Sequence, residues 1–379
     1  MKIVIAPDSF KGSISARDFC TAVKAGVKRV FPDAKVVEVP LADGGEGTME
    51  NIVFASKGTK KRVKVTGPIG EKVAAEYGIL GDKETVIIEM AQASGLPLLK
   101  EHERNPLITT SYGTGDLIKA ALDDGFRKFI IGIGGSATND GGMGMLKALG
   151  ISFYDKNGSP LPEGGAALID LHHIDETNFD QRLKESTIVV ASDVTNLLCG
   201  PNGASAVFGP QKGATKEMAK KLDDALDHFA ETVYKTKNID MRELIGGGAA
   251  GGLGAALITF LGAKLQSGID VIMKELKFER EILDADLIIT GEGRLDTQTL
   301  SGKVISGVSK LARKYRIPVI ALCGGMNLEA HKFDELGLLS AFSIVPGPCT
   351  LEEAMEHAAA WIPERIEAIM RILNYKMQS

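Results

Sequence analysis

Short apolar runs of strand length recur along the chain, and stretches with helical periodicity separate them. The runs are continuous rather than alternating in polarity, which is typical of strands buried on both faces of a sheet. They occupy residues 3–6, 36–39, 86–90, 129–133, 188–191, 287–290, 319–323 and 342–345. Strands that alternate with amphipathic helices predict a mostly parallel, doubly wound α/β sheet.

Local signals mark where several helices begin. Ser15 precedes an apolar stripe at helical spacing and is expected to cap the first long helix. Thr350 and Glu353 form a capping-box pattern that opens the last helix, in which Pro363 predicts a kink or a break. The middle third is less regular and predicts a second, differently built domain. Residues 245–263 are uncharged but rich in Gly, which favours a buried segment over a membrane span.

Composition narrows the class of protein. A length of 379 residues favours two domains. A net charge of −5 without a basic cluster, together with a single Trp, argues against nucleic acid as a partner. The four cysteines form no close pair or Cys/His cluster, which argues against a zinc site or a disulfide scaffold and fits a reducing cytoplasm. The first apolar run is too short for a signal peptide.

Charged residues collect directly after the apolar runs, where ligands bind in open α/β sheets. Phosphoryl transfer needs cations for the phosphates, carboxylates for Mg²⁺, and a base or positioning group for the attacking hydroxyl. These loops supply all three. The candidate carboxylates are Asp8, Asp43, Glu46, Asp193, Glu292 and Asp296, and the candidate cations are Lys11, Arg294 and Lys303.

The loop GIGGSATNDGG at residues 132–142 is the strongest candidate for anion binding. Its small residues are expected to present backbone amides and hydroxyls at the start of a helix, although a tight turn that only permits close packing fits the same pattern. The residues concerned are Gly134, Gly135, Ser136, Thr138, Asn139 and Asp140.

Two rival functions fit parts of the sequence. GIGGSA matches the short dinucleotide fingerprint G-x-G-x-x-A, with Asp155 farther along, which suggests an NAD-dependent 2-hydroxy-acid dehydrogenase. A non-catalytic regulator that binds a sugar acid or a nucleotide is the other alternative, but the sequence shows no helix-turn-helix or basic segment. A standard P-loop and the G-x-S-x-G motif of serine hydrolases do not occur.

Long strings of the sequence resemble the bacterial glycerate kinase type 1 family. They run in order from the first residue to beyond residue 300 and read MKIVIAPDSFKGSISA, PLADGGEGT, EMAQASGLPLL, TTSYGTGDLI, GIGGSATNDGGMGML, ASDVTNLLCGPNGASAVFGPQKGA, SGIDVIM and TGEGRLDTQTLSGK. The resemblance implies phosphorylation of D-glycerate with ATP and Mg²⁺, to 2-phosphoglycerate or alternatively to 3-phosphoglycerate. It also implies a Rossmann-like domain built from both chain ends, residues 1–68 and 284–379, and an inserted α/β domain, residues 69–283, with the active site in the cleft between them.

The resemblance leaves the role of each residue as a hypothesis. Asp193 is expected to be the base or a Mg²⁺ ligand, with Glu292 and Asp296 as further metal ligands. Lys11 is expected to neutralise the transferred phosphate, and Arg294 to bind the glycerate carboxylate. The remaining substrate-binding candidates are Asp8, Asp43, Gly44, Gly45 and Glu46, and the six residues named above in the loop at 132–142 are assigned to nucleotide phosphates. A small-molecule substrate is thus the expected partner, and assembly into a homo-oligomer is left open.

Overall fold

The computed structural model describes residues 1–42, 44, 45, 47–296, 299 and 304–378. Its strands are β1 Lys2–Ile5, β2 Lys35–Glu38, β3 Thr59–Thr66, β4 Lys72–Ile79, β5 Thr85–Glu89, β6 Lys128–Gly132, β7 Ser152–Tyr154, β8 His173–Asp175, β9 Thr187–Ala191, β10 Lys264–Gln266, β11 Leu287–Leu295, β12 Val319–Met326 and β13 Ser340–Ser343. Its α-helices are α1 Ala16–Val30, α2 Thr48–Ser56, α3 Ala91–Ser94, α4 Tyr112–Asp123, α5 Met143–Ala148, α6 Ala204–Phe208, α7 Lys216–Lys237, α8 Leu253–Leu261, α9 Gly268–Glu275, α10 Phe278–Ile282, α11 Val304–Lys314, α12 Phe333–Leu336 and α13 Leu351–Gln378.

The chain divides into two compact α/β units. The first contains residues 1–43, 50–56 and 269–379, and the second contains residues 44–49 and 57–268. These bounds differ from the sequence-based ones at 68 and 284. Residues 59–66 belong to the second unit because β3 pairs with β4 along its whole length, and α10 belongs to the first unit, where it leads into β11.

The first unit is built on a parallel five-stranded sheet in the order β13-β12-β11-β1-β2. The chain leaves β1 toward β2 on one side and returns to β11 on the other, so the strand order reverses between β1 and β11. In doubly wound sheets the crevice at such a reversal is where ligands bind.

Two helices from opposite ends of the chain cover this sheet. Ser15 caps α1 by accepting a hydrogen bond from the amide of Asp18 at 3.0 Å, as the sequence predicted. The apolar stripe of α1 packs with that of α13, and α13 opens on the predicted capping box between Thr350 and Glu353. The predicted break at Pro363 does not occur. α13 continues through Pro363 to Gln378 and buries Ile362 and Ile366 in the core.

The second unit has a mixed six-stranded sheet in the order β10-β9-β6-β5-β4-β3, in which β3 and β4 are antiparallel to their neighbours. β7 and β8 form a separate antiparallel pair. Residues 245–263, predicted as a buried Gly-rich segment, are buried for most of their length, and α8 covers their second half. None of the helices in the described part of the chain is long and apolar enough to cross a lipid bilayer.

Candidate functional site

A cavity of about 730 Å³ lies in the first unit at the carboxyl ends of β1, β11 and β12. It brings together five charged residues that the sequence singled out, namely Asp8, Lys11, Glu292, Arg294 and Asp296. Phe10, Leu351 and Met355 form part of its apolar wall. Its volume is in the range of small-molecule sites, and its position is the one that the reversal of strand order favours.

Backbone pairing fixes the acidic side of this cavity. The amide of Asp8 donates to the carbonyl of Gly291 at 2.8 Å, which places Asp8 at the boundary between β1 and β11. Asp8 and Glu292 are both buried, and Glu292 accepts a hydrogen bond from the hydroxyl of Thr299. Burial, reinforced by the charge of Glu292, raises the pKa of the Cys323 thiol, so Cys323 is not a thiolate nucleophile here.

The cations face solvent. The side chain of Arg294 is 65% exposed, and its Nε lies 3.7 Å from Oδ2 of Asp296. Lys11 is exposed at the rim of the same cavity. An exposed guanidinium beside buried carboxylates is suited to receive an anionic ligand, because its planar fork matches a carboxylate or a phosphate.

In the second unit, Gly44 and Gly45 lie against the loop that follows β6. A Cβ atom at Gly132 would lie 3.0 Å from the carbonyl oxygen of Gly44, and one at Gly134 would lie 3.2 Å from Cα of Gly45. The amide of Met49 donates to Oε1 of Glu89 at 2.7 Å, which holds this segment at the end of β5. Asp43, Glu46 and Lys303 lie outside the described residues.

Asp140 organises the loop after β6 from within. Its Oδ2 accepts hydrogen bonds from the amide and the hydroxyl of Ser111, both at 2.8 Å, and from the amide of Gly144 at 3.2 Å. Its Oδ1 accepts from the amide of Gly142 at 3.1 Å. Burial raises the pKa of Asp140. The sequence predicted that amides at the start of the next helix would be free to bind phosphate. Instead, the amides of Gly142 and Gly144 donate to Asp140, and the amide of Met145 donates to Ser111 Oγ.

The exposed surface of this loop is therefore smaller than predicted. Gly134 and Gly135 are exposed and Ser136 is 6% exposed, whereas Thr138, Asn139 and Asp140 are fully buried. β6 ends at Gly132 and α5 begins only at Met143. A dinucleotide fingerprint requires a helix that opens directly after the glycines, so this spacing does not favour the dehydrogenase alternative.

Lys212 is a buried residue that sequence reasoning missed. Its side chain is 1% exposed, and Nζ donates to Ser136 Oγ at 2.7 Å and to the carbonyl of Thr138 at 2.6 Å. Burial lowers the pKa of Lys212 to about 7, against a smaller opposing effect of Asp140. A lysine between Gln211 and Gly213 looks like a surface residue in the sequence, and its position in the GPQKGA string was the only signal.

The Gly-rich segment before α8 supports two candidate loops at once. The amides of Gly246 and Gly248 donate to the carbonyls of Thr195 and Asn196 at 3.3 and 3.0 Å. The amide of Gly141 donates to the carbonyl of Gly251 at 2.9 Å. This segment thus ties the loop after β9 to the loop after β6.

Asp193 follows β9, as the sequence predicted. It is exposed, and its Oδ1 accepts a hydrogen bond from the amide of Gly268 at 3.2 Å. Asp193 belongs to the second unit, whereas Glu292 and Asp296 belong to the first. Within the described ranges, no group of three His, Cys, Asp or Glu side chains is arranged to hold a metal ion. Mg²⁺ commonly uses only one or two carboxylates together with substrate phosphates, so the oxygen donors of Glu292 and Asp296 fit it chemically.

The chain is similar to known proteins over nearly its whole length. Residues 3–374 match the model of the glycerate kinase family. The chain is 50% identical to the glycerate 2-kinase of Escherichia coli K12 over 94% of both proteins, and 51% identical to the glycerate kinase of Bacillus subtilis 168 over 96% of this chain and 95% of that protein.

A solved structure agrees with these sequence matches. A protein of Salmonella typhimurium LT2, provisionally named glycerate kinase 2, is 49% identical and superposes with a TM-score of 0.91 over 100% of both chains. Such identity over full-length chains, with the same fold, is the mark of common family membership. The chain belongs to the glycerate kinase family of enzymes.

Proposed function

We propose that this enzyme transfers the γ-phosphoryl group of ATP to the 2-hydroxyl of D-glycerate and releases 2-phosphoglycerate and ADP. The observation that carries the proposal is the 50% identity, over 94% of both chains, to a relative named glycerate 2-kinase. The cavity of the first unit supports it, since two cations and three carboxylates line one small-molecule space. The motifs quoted above favour type 1 of the family.

The proposal assigns the polar side of that cavity to glycerate. Arg294 binds the carboxylate of glycerate in a bidentate manner, and Asp8 accepts a hydrogen bond from a glycerate hydroxyl. Lys11 neutralises charge on the phosphoryl group during transfer. Glu292 and Asp296 hold Mg²⁺, which when bound offsets charge on the β- and γ-phosphates.

In the second unit, the exposed glycines 134 and 135 and the hydroxyl of Ser136 bind nucleotide phosphates. Thr138, Asn139 and Asp140 act from beneath this surface by fixing the loop. Gly44 and Gly45 complete the substrate-binding set together with Asp43 and Glu46.

Asp193 is proposed as the general base or a further Mg²⁺ ligand. As a base it takes the proton of the 2-hydroxyl while the oxygen attacks the γ-phosphorus, and the bond from that phosphorus to the β-phosphate oxygen breaks to release ADP. Its exposure to solvent lets the proton pass on to water after the transfer.

The test is ADP release with D-glycerate, measured with and without Mg²⁺ and with L-glycerate as the matched acceptor. Phosphorus NMR then distinguishes 2-phosphoglycerate from 3-phosphoglycerate. We expect Mg²⁺-dependent ADP release with D-glycerate and one product signal, that of the 2-phosphate. A 3-phosphate product would overturn the regiochemistry, and absence of ADP release with any hydroxy acid would overturn the kinase assignment.

A further inference from the structure

The buried amine of Lys212 and the hydroxyl of Ser136 form a pair in which each can give or receive the shared hydrogen. Nζ lies 2.7 Å from Ser136 Oγ and 2.6 Å from the carbonyl oxygen of Thr138. The carbonyl only accepts, so Lys212 must donate one N–H to it. The contact with Ser136 is different because a hydroxyl both donates and accepts.

The protonation state of Lys212 decides what Ser136 offers to a ligand. A charged ammonium has no lone pair, so it donates to Oγ, and the hydroxyl hydrogen of Ser136 must point to another acceptor. A neutral amine has a lone pair that can accept this hydrogen. Ser136 is 6% exposed next to the exposed Gly134 and Gly135. An anion bound at these glycines would therefore accept the hydroxyl hydrogen of Ser136 when Lys212 is charged.

We propose that Lys212 is a positioning residue whose ammonium form directs the Ser136 hydroxyl toward a bound phosphate-like dianion, so that anion binding at residues 134–136 is coupled to uptake of a proton by Lys212. The proposal deepens the phosphate-binding role assigned above to these residues and rests on that assignment. Lys212 does not touch the anion, because its side chain is buried beneath the loop.

The surroundings of Lys212 allow this change of charge. Asp140 is the titratable group in the described part of the chain whose charge acts on Lys212, and it favours the ammonium. Glu163 acts in turn on Asp140, and the backbone of Arg104 packs against Gly213 next to Lys212. Burial outweighs Asp140 and lowers the pKa of Lys212 to about 7. The free protein therefore holds a mixture of both forms near neutral pH, and a dianion shifts it toward the ammonium.

Sulfate is a suitable probe because its charge does not change near neutral pH. Its affinity is measured by calorimetry from about pH 6 to about pH 9, in buffers of different ionisation enthalpy that report proton uptake. For the wild type we expect proton uptake on sulfate binding near and above neutral pH. The affinity for sulfate should fall as pH rises, and above the pKa of Lys212 the loss should approach about tenfold per pH unit.

Substitutions test whether the pH dependence of sulfate binding comes from Lys212 and Ser136. Lys212→Arg, which keeps its charge throughout, should remove the pH dependence, and Lys212→Met should bind weakly at every pH without proton uptake. Ser136→Ala should also lose the pH dependence, whereas the exposed Lys220→Met should match the wild type. If Lys212→Met does not fold, the wild type and Lys212→Arg still decide.

The proposal is overturned if the wild type does not bind sulfate. It is also overturned if sulfate binding has the same pH dependence in the wild type and in Lys212→Arg. Neither result depends on turnover. Failure of the kinase assignment would appear separately, as absence of ADP release from the wild type with D-glycerate.

Discussion

The carboxylate of Asp140 accepts hydrogen bonds from both the amide and the hydroxyl of Ser111 at 2.8 Å, in a fully buried position. It also binds the amides of Gly142 and Gly144, so one side chain holds the start of α4 and the start of α5 together. This pairing explains why an acid stands in a loop assigned to anions. Asp140 serves the loop from below and satisfies buried donors that would otherwise have no partner.

Asp140→Asn should therefore destabilise the protein. An amide offers one oxygen and places an NH₂ group against an N–H donor, which we expect to lower the free energy of unfolding by about 1–3 kcal/mol. Denaturant unfolding measures this, with Asp224→Asn on the exposed face of α7 as the control. Equal stability of Asp140→Asn and the wild type would contradict the structural role of this carboxylate.

Gly251→Ala should distort the loop after β6. Gly251 has a φ of +68°, and a Cβ atom there would lie 2.2 Å from the carbonyl oxygen of Thr138, which also binds Lys212. Gly262 is a matched control, because its φ is +65° but a Cβ atom there meets nothing within 4 Å. Both variants carry the left-handed backbone cost, of about 1 kcal/mol, and only Gly251→Ala adds the clash.

Activity assays separate these two effects. We expect kcat/KM for ATP to fall at least about tenfold in Gly251→Ala and to stay near the wild-type value in Gly262→Ala. If both variants lose activity equally, backbone strain rather than the contact with Thr138 is the cause.

Asp193→Asn should slow turnover strongly without unfolding the protein. Asn keeps a carbonyl oxygen for the amide of Gly268 but can neither take a proton nor supply a negative ligand to Mg²⁺. We expect kcat to fall by a factor of about 10² or more, while thermal unfolding stays close to wild type. Asp270→Asn, in the exposed part of α9, is the control. Retained turnover in Asp193→Asn would remove Asp193 from the catalytic set.

Arg294→Lys tests which ligand occupies the cavity of the first unit. Lysine keeps the charge but loses the bidentate fork, so we expect KM for D-glycerate to rise about tenfold and KM for ATP to change little. Arg280→Lys, on the exposed surface of α10, should leave both constants unchanged. The cavity has room for more than glycerate, and a rise in KM for ATP instead would assign it to the nucleotide.

Lys212 should also make stability depend on pH in a defined direction. The pKa of Lys212 is about 7 in the folded protein, below its ordinary value of 10.5, so the unfolded chain binds more protons between these values. Stability of the wild type relative to Lys212→Met should therefore rise as pH increases from about 7 to about 9. Denaturant unfolding at several pH values measures this difference, and Lys220→Met should show none. A difference that stays constant with pH would mean that Lys212 does not titrate in this range.

Structural features that depend on residues close together in the chain could be predicted from the sequence. The apolar runs predicted the strands of the parallel parts of both sheets except β10, because continuous burial on two faces needs continuous apolar residues. β10 was not predicted, because it has only three residues and two of them are Lys264 and Gln266. β3 was not predicted, because its outer face carries Lys60 and Arg62, which pair with Glu76 of β4. An alternating charged strand becomes visible only once its partner is known.

By itself the sequence determined the α/β class, the helix caps at Ser15 and Thr350, the family, and the charged residues that line one cavity. These depend on local patterns or on long strings of identical residues. Only the tertiary structure decided that Lys212 is buried under Ser136 and that Asp140 holds Ser111. Burial and hydrogen bonding of a polar side chain depend on residues far along the chain, and the folded chain alone brings them together.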